Sequence, residues 1–139
     1  MEFGLEQERE CIIELEDVRK SFGSQTVLDG VNLQISAGTT TVIVGASGQG
    51  KSVILKHMLG LLKPDSGQVK VFGRDLVNCN KKEMREIRSS FGVLFQNVAL
   101  FDSMSVYDNV ALPLRERTHV REEEIRVAVE EKLALMGLE

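Results

Sequence analysis

The sequence predicts an α/β protein in which a central strand leads through a glycine-rich loop into a buried helix. The run from Thr39 to Val44 is β-branched at every position and does not alternate with polar residues, as is typical of a strand covered on both faces. Three glycines follow between Gly45 and Gly50, and residues 51–62 then carry apolar side chains around most of a helix. Because glycine costs backbone entropy, such a cluster needs a reason.

Other strands are predicted on both sides of this unit. Residues 11–15 form a short apolar run, and residues 31–36 alternate between apolar and polar side chains, which favours a half-exposed strand. Residues 68–73 alternate again between turn residues at 63–67 and at 73–75, which indicates a β-hairpin. An antiparallel β-subdomain is therefore expected beside the central strand.

A short helix and another strand are predicted next. Asn80 with Glu83 three residues later forms a capping box for a helix that ends near Arg88. The apolar residues 91–95 are a further strand candidate.

Two more helices are predicted in the last third of the chain. Ser105 with Asp108 caps a helix that Pro113 is expected to stop. The acidic run 122–124 suits a helix N-terminus, and the helix that follows has one apolar stripe, formed by Ile125, Val129, Leu133 and Met136.

Composition excludes several classes of protein. The 139 residues fit one domain, and the net charge of −4, without a basic stripe, argues against a nucleic-acid surface. Cys11 and Cys79 are far apart and form no CxxC pair, so neither a zinc site nor a disulfide is indicated. No run approaches the ~18 apolar residues of a membrane span. A cytoplasmic protein is expected.

The glycine cluster matches the pattern GxxxxGK[ST] through Gly45, Gly50, Lys51 and Ser52. Backbone amides of such a loop surround phosphate groups, and side chains would block that approach. The lysine neutralises β- and γ-phosphate oxygens, the serine hydroxyl ligates Mg²⁺, and the helix directs its positive end at the anion. The pattern arises by chance in roughly one chain of this length in two hundred. The predicted phosphate-binding residues are Gly45, Ala46, Ser47, Gly48, Gln49, Gly50, Lys51, Ser52 and Val53.

Five segments, in matching order and spacing, make the chain resemble the N-terminal part of an ABC-transporter ATPase subunit. They are 20–23 (KSFG), 28–31 (LDGV), 45–52, 62–67 (LKPDSG) and 95–96 (FQ). The resemblance implies an α/β fold, namely a P-loop NTPase core with an antiparallel β-subdomain, truncated before the helical signature region is complete. It also implies an organisation across 1–139, with the phosphate loop at 45–52, the Q-loop around 96 and the helical subdomain beginning at 105–139.

The same resemblance assigns roles to individual residues. An aromatic residue at the place of Phe22 stacks on adenine in that family, a contact suited to a π-face. Gln96 matches the Q-loop glutamine, whose side-chain oxygen approaches Mg²⁺ and whose loop senses the membrane subunit. The implied cofactors are ATP and Mg²⁺, with Lys51 and Gln96 in catalytic roles and Ser52 and Gln96 at the metal.

Segment 97–116 resembles, in particular, the ATPases of Mla-type phospholipid-trafficking and toluene-tolerance transporters. In the ABC family this region faces the coupling helix of the membrane subunit, although its apolar residues could also simply pack a local core. The implied partners are nucleotide, a membrane permease and a second ATPase subunit. The implied location is peripheral, on the inner face of the plasma membrane.

The remaining family motifs do not occur between residues 1 and 139. VALFD (98–102) looks like a metal-binding strand end, but Ser103 stands where a glutamate is required, and the LSGGQ element, the Walker B carboxylates and the histidine switch are missing. We therefore expect weak nucleotide binding, negligible turnover, and exposed apolar strand edges that favour oligomerisation or partial disorder. Alternatives are a non-transport ABC ATPase and a nucleotide-binding regulatory protein. A small-molecule kinase would need an arginine-rich lid, which the sequence lacks.

Overall fold

The computed structural model describes residues 10–95, 100–117 and 120–138. The chain divides into two compact units, residues 1–92 and 93–139. The elements of the first unit are β1 (Cys11–Phe22), β2 (Gln25–Ser36), α1 (Lys51–Met58), β3 (Ser66–Val71), β4 (Arg74–Asp75) and α2 (Lys81–Ser89). Those of the second are α3 (Val106–Arg117) and α4 (Glu122–Ala134).

The first unit contains a four-stranded antiparallel sheet in the order β2-β1-β3-β4. β1 and β2 form a long hairpin whose closing pair is Phe22 with Gln25, and β3 and β4 form the hairpin predicted after residue 67. β1 is longer than the apolar run 11–15 that predicted it. Its second half carries exposed charged residues, among them Asp17 and Arg19, which pair at 3.0 Å.

The core of this unit lies between the sheet and its helices. The buried apolar side chains are Ile13, Leu15, Val18, Leu28, Met58, Val69, Val71, Leu76 and Ile87. α1 ends at Met58, earlier than the predicted helix 51–62. Leu55 is 51% exposed and Leu61 is 55% exposed, so this segment is only partly buried, because one side of α1 faces away from the sheet.

The predicted capping box is confirmed at the start of α2. Asn80 Oδ1 accepts hydrogen bonds from the backbone N–H of Lys82 at 2.9 Å and of Glu83 at 3.0 Å. Glu83 Oε2 accepts from the backbone N–H of Asn80 at 2.8 Å. At the other end of α2, Arg88 donates to the backbone oxygen of Gly60 at 2.6 Å and so links α2 to the end of α1.

The predictions of a central strand at 39–44 and of a further strand at 91–95 are wrong. Neither run belongs to a strand, and both expose apolar side chains, among them Val42 at 74%, Val44 at 85% and Leu94 at 100%. A strand buried on both faces needs a hydrogen-bonded neighbour, and within the described parts of the chain neither run has one. The coverage on both faces that was expected of residues 39–44 is therefore wrong as well.

The second unit is a helical hairpin. Ala111 of α3 and Ile125 and Val129 of α4 are buried between the two helices. The expected cap is confirmed, because Ser105 Oγ accepts from the backbone N–H of Asp108 at 3.0 Å. Met136 lies past the end of α4 and is 75% exposed, so it does not continue the predicted apolar stripe.

The prediction that Pro113 stops α3 is wrong, since the helix continues to Arg117. Proline removes one helical hydrogen bond, but contacts beyond it keep the helix in place. Arg115 lies past the proline and donates to Asp108 at 3.0 Å and to Glu122, at the start of α4. No helix among the described residues is long and apolar enough to cross a membrane.

Candidate nucleotide-binding site

The glycine loop adopts a conformation that depends on glycine at two positions for different reasons. Gly48 has φ 80° and Gly50 has φ 84°, a region that favours glycine. A Cβ on Gly50 would lie 2.9 Å from Leu28 Cδ2 and 3.2 Å from the backbone oxygen of Val27, so β2 packs directly against the loop. A Cβ on Gly48 would meet nothing within 4 Å. The loop is therefore tight against β2 at Gly50 and open at Gly48, where an anion can approach the backbone.

α1 begins directly after this loop with its positive end uncompensated. Gly50 is the N-cap residue, no side chain caps the helix, and its first turn contains no acidic residue. The first N–H groups of a helix lack intrahelical partners and carry partial positive charge. Ser52 and Val53 lie in this first turn, and Ser52 is exposed. The arrangement suits a phosphate group, for which backbone N–H groups and a helix N-terminus are common ligands.

Lys51 folds back over the loop. Its Nζ donates hydrogen bonds to the backbone oxygens of Gly45 at 2.7 Å and of Ala46 at 2.6 Å. The ammonium group therefore lies against the first two residues of the loop. A mobile cation in this place can transfer its hydrogen bonds to phosphate oxygens.

Phe22 lies at the end of β1 and is 48% exposed. Its strand partner is Gln25 of β2, and Val27, two residues further along β2, is the residue whose backbone oxygen packs against Gly50. With a rise of about 3.3 Å per residue, this register places Phe22 at the end of β2 that adjoins the loop. The sheet thus presents an exposed aromatic ring near the glycine loop, which is the arrangement that stacking on adenine would require.

The metal ligands are only partly described. Of the two predicted Mg²⁺ ligands, Ser52 lies within the described residues and Gln96 lies outside them. The described segments contain no group of three His, Cys, Asp or Glu side chains that could hold a metal ion. Mg²⁺ commonly binds through few protein oxygens together with water and substrate phosphates, so the Ser52 hydroxyl at the helix start fits a role as one ligand of a nucleotide-bound Mg²⁺.

Both interpretations of segment 97–116 apply, to different residues. Residues 97–99 lie outside the described structure. Val110 packs in the α3–α4 core, whereas Leu100, Phe101 and Val106 are 58%, 55% and 61% exposed. These exposed side chains line a groove of about 630 Å³ together with residues that follow α4, namely Leu135, Met136 and Leu138.

Sequence reasoning missed the role of Asn109 in shaping this segment. Its amide nitrogen donates to the backbone oxygens of Phe101 at 3.1 Å and of Ser105 at 3.0 Å, and its Oδ1 accepts from the backbone N–H of Phe101 at 2.8 Å. Asn109 therefore fixes the loop before α3. An asparagine four residues after a helix cap was the available signal, but its partners are backbone groups that a sequence does not reveal.

A glycine loop that opens onto an uncapped helix, with a lysine folded over its carbonyls, defines a P-loop nucleotide-binding protein. A family model described as ABC transporter matches residues 28–139, which is most of the chain. The chain therefore belongs to the ABC transporter family, and the expected resemblance is confirmed.

Curated relatives include transport ATP-binding proteins. The chain is 53% identical over 126 residues to the probable ribonucleotide transport ATP-binding protein mkl of Mycobacterium tuberculosis. The aligned region covers 91% of the chain and 35% of that protein. It is 40% identical over 127 residues to the intermembrane phospholipid transport system ATP-binding protein MlaF of Haemophilus influenzae, covering 91% of the chain and 48% of that protein. The chain thus spans between a third and a half of the length of these relatives.

Solved structures confirm the fold class. The dimeric structure of MJ0796, a bacterial ABC transporter cassette, matches with a TM-score of 0.80 and 32% identity, over 92% of this chain and 58% of that one. Another structure of the same cassette was solved as a dimer bound to ADP and Pi, in a post-hydrolysis state, and matches with a TM-score of 0.79. The expected P-loop NTPase core with an antiparallel β-subdomain is therefore borne out.

Proposed function

We propose that this chain is the nucleotide-binding part of an ABC-transporter ATP-binding subunit and that it binds ATP with Mg²⁺ at residues 45–53. The observation that carries the proposal is the position of Lys51, whose Nζ lies on the backbone oxygens of Gly45 and Ala46 at the start of an uncapped helix. A cation held by neutral carbonyls in front of free helix N–H groups is a site prepared for a strong anion.

Each predicted residue has a role in this proposal. The backbone N–H groups of residues 46–53 and the Lys51 ammonium bind the phosphates, the Phe22 ring stacks on adenine, and the Ser52 hydroxyl ligates Mg²⁺. Gln96, outside the described residues, is proposed to reach the same ion. Mg²⁺, when bound, neutralises negative charge on the phosphate oxygens.

Hydrolysis needs groups that residues 1–139 do not contain. Phosphoryl transfer depends mainly on positioning and charge stabilisation. The chain supplies phosphate-binding groups but no LSGGQ element and no aspartate–glutamate pair after an apolar strand. We therefore propose that this stretch binds nucleotide without appreciable turnover, and that turnover belongs to a dimer of complete subunits.

The proposed transport role follows from the family and from the second unit. The exposed residues Leu100, Phe101 and Val106 offer an apolar surface in segment 97–116 for a membrane permease, which would hold the subunit at the inner face of the membrane. The proposed cargo is phospholipid or organic solvent. Support comes from the resemblance of this segment to Mla-type ATPases and from the similarity to MlaF, a phospholipid transport ATP-binding protein.

Calorimetric titration of the chain with ATP and Mg²⁺ tests the binding proposal. We expect a saturable binding isotherm. Lys51→Ala should weaken binding at least about tenfold, because a charged hydrogen-bond donor to phosphate is lost. Lys56→Ala is the matched control, since Lys56 is an exposed lysine on the same helix. A flat titration, or equal affinity in the Lys51 and Lys56 variants, would contradict the proposal. Phosphate release should stay at the background rate in every variant.

A further inference from the structure

The turn after α1 is attached to the end of β1 through one residue, Asp65. Asp65 Oδ1 accepts a hydrogen bond from Lys20 Nζ at 2.5 Å, and Asp65 Oδ2 accepts from the backbone N–H of Ser21 at 2.7 Å. The backbone N–H of Asp65 donates to the backbone oxygen of Arg19 at 2.9 Å. Asp65 thus holds three consecutive residues of β1, and Phe22 is the next residue along the strand.

Lys20 extends this attachment to the aromatic ring itself. Its Nζ lies 5.7 Å from the centre of the Phe22 ring, over the ring, which is within the range of a cation–π contact. The Lys20 side chain is only 15% exposed, whereas Phe22 is 48% exposed. The ring is therefore held by a shielded ammonium while much of its surface stays accessible to a ligand.

Global stability is a weak explanation for this arrangement. Asp65 is 49% exposed, and exposed ion pairs contribute about 0–1 kcal/mol to folding. Local orientation is the stronger effect, because the contacts converge on the three residues before Phe22. The attachment also connects the two halves of the proposed site, since α1 starts at the phosphate loop and Asp65 lies in the turn that follows α1.

We propose that Asp65 and Lys20 are positioning residues that set the orientation of the Phe22 ring for stacking on adenine. The inference rests on the proposed function, because it assumes that Phe22 contacts the base of a nucleotide bound at residues 45–53. It assigns the two residues to recognition of the base and leaves binding of the phosphates to the loop.

The test separates base recognition from phosphate binding. The chain contains no tryptophan, so Phe22→Trp introduces a single fluorescent reporter whose emission adenine stacking would quench. Affinities are measured for ATP with Mg²⁺ by fluorescence and for inorganic tripolyphosphate by calorimetry. In this background, Lys20→Met and Asp65→Asn should weaken ATP binding about fivefold and leave tripolyphosphate affinity unchanged. Lys20→Arg should retain ATP affinity, since it keeps the cation.

Lys81→Met is the matched control, because Lys81 is an exposed lysine on α2. The inference is overturned if Lys20→Met and Asp65→Asn bind ATP like the control, or if they lose ATP and tripolyphosphate affinity in equal measure, which would indicate a general loss of structure. Failure of the proposed function looks different. In that case the chain without these substitutions responds to neither ligand, and Lys51→Ala changes nothing.

Discussion

Gly67 offers the sharpest test of how the β-subdomain is held together. It is the second residue of β3 and has φ +89°. A Cβ added there would lie 2.3 Å from the backbone oxygen of Asp17 and 2.6 Å from that of Glu16. Ordinary van der Waals contact begins at 3.4 Å. The obstructing atoms are backbone atoms of β1, so no side-chain rotation can relieve the overlap, and Gly67→Ala must push β1 and β3 apart.

Gly73 provides the matched comparison. It has φ +71° and nothing within 4 Å of the added Cβ, so Gly73→Ala keeps the conformational penalty and lacks the overlap. A left-handed conformation costs a non-glycine residue roughly 1–2 kcal/mol, which applies to both substitutions. Overpacking adds about 1–3 kcal/mol at Gly67 alone. Gly67→Ala should therefore lower the free energy of unfolding by about 2–5 kcal/mol in total.

Urea and thermal unfolding followed by far-UV circular dichroism measure this difference. A domain of 60–100 residues loses about 4–8 °C in Tm for each kcal/mol, so Gly67→Ala should melt roughly 10 °C below Gly73→Ala. Equal midpoints for the two variants would refute the reasoning, because they would show that β1 yields to a Cβ at little energetic cost. Because Gly67 lies two residues after Asp65, the same substitution should also weaken ATP binding.

Other predictions concern the second unit, a helix cap and acid stability. Ile125 is buried between α3 and α4, so Ile125→Ala should destabilise the helical hairpin by about 2–4 kcal/mol. Val127 on the same helix is 51% exposed, and Val127→Ala should change stability by less than about 0.5 kcal/mol. Thermal unfolding measures both effects. Asn80→Ala removes two hydrogen bonds to helix N–H groups and should cost about 1 kcal/mol in urea unfolding, with Asn80→Ser largely restoring it. The hydrogen bond from Lys20 holds the pKa of Asp65 below its ordinary value of 3.8, so the stabilisation is present above that value and is lost as pH falls through the lower folded-state pKa. Urea midpoints should accordingly decline below about pH 4, and less steeply for Asp65→Asn than for the unchanged chain.

Features set by neighbouring residues were predictable from the sequence. The phosphate loop, the capping box at Asn80 and the hairpin of β3 and β4 depend on residues within a few positions of one another. Glycine and asparagine at these places have few conformational alternatives. Local chemistry therefore predicted both the loop and the start of α1.

Features set by distant residues were not predictable in the same way. Residues 39–44 read as a buried strand, yet a strand forms only beside a partner, and no β-branched composition supplies one. α3 passes Pro113 because of an ion pair with α4, and Asp65 reaches Lys20 across 45 positions. Such contacts follow from the packing of the whole unit, so the attachment of Phe22 emerged only from the structure.

The hydrogen bonds of Lys51 to Gly45 and Ala46 mean that this residue stabilises the loop from within. In the proposed function, nucleotide binding would then be an exchange, in which the Lys51 ammonium leaves two carbonyl oxygens and bonds to the triphosphate. A substitution at Lys51 consequently removes two hydrogen bonds that stabilise the loop as well as a positive charge. The substitution should therefore speed amide hydrogen exchange between residues 45 and 50 even in nucleotide-free protein.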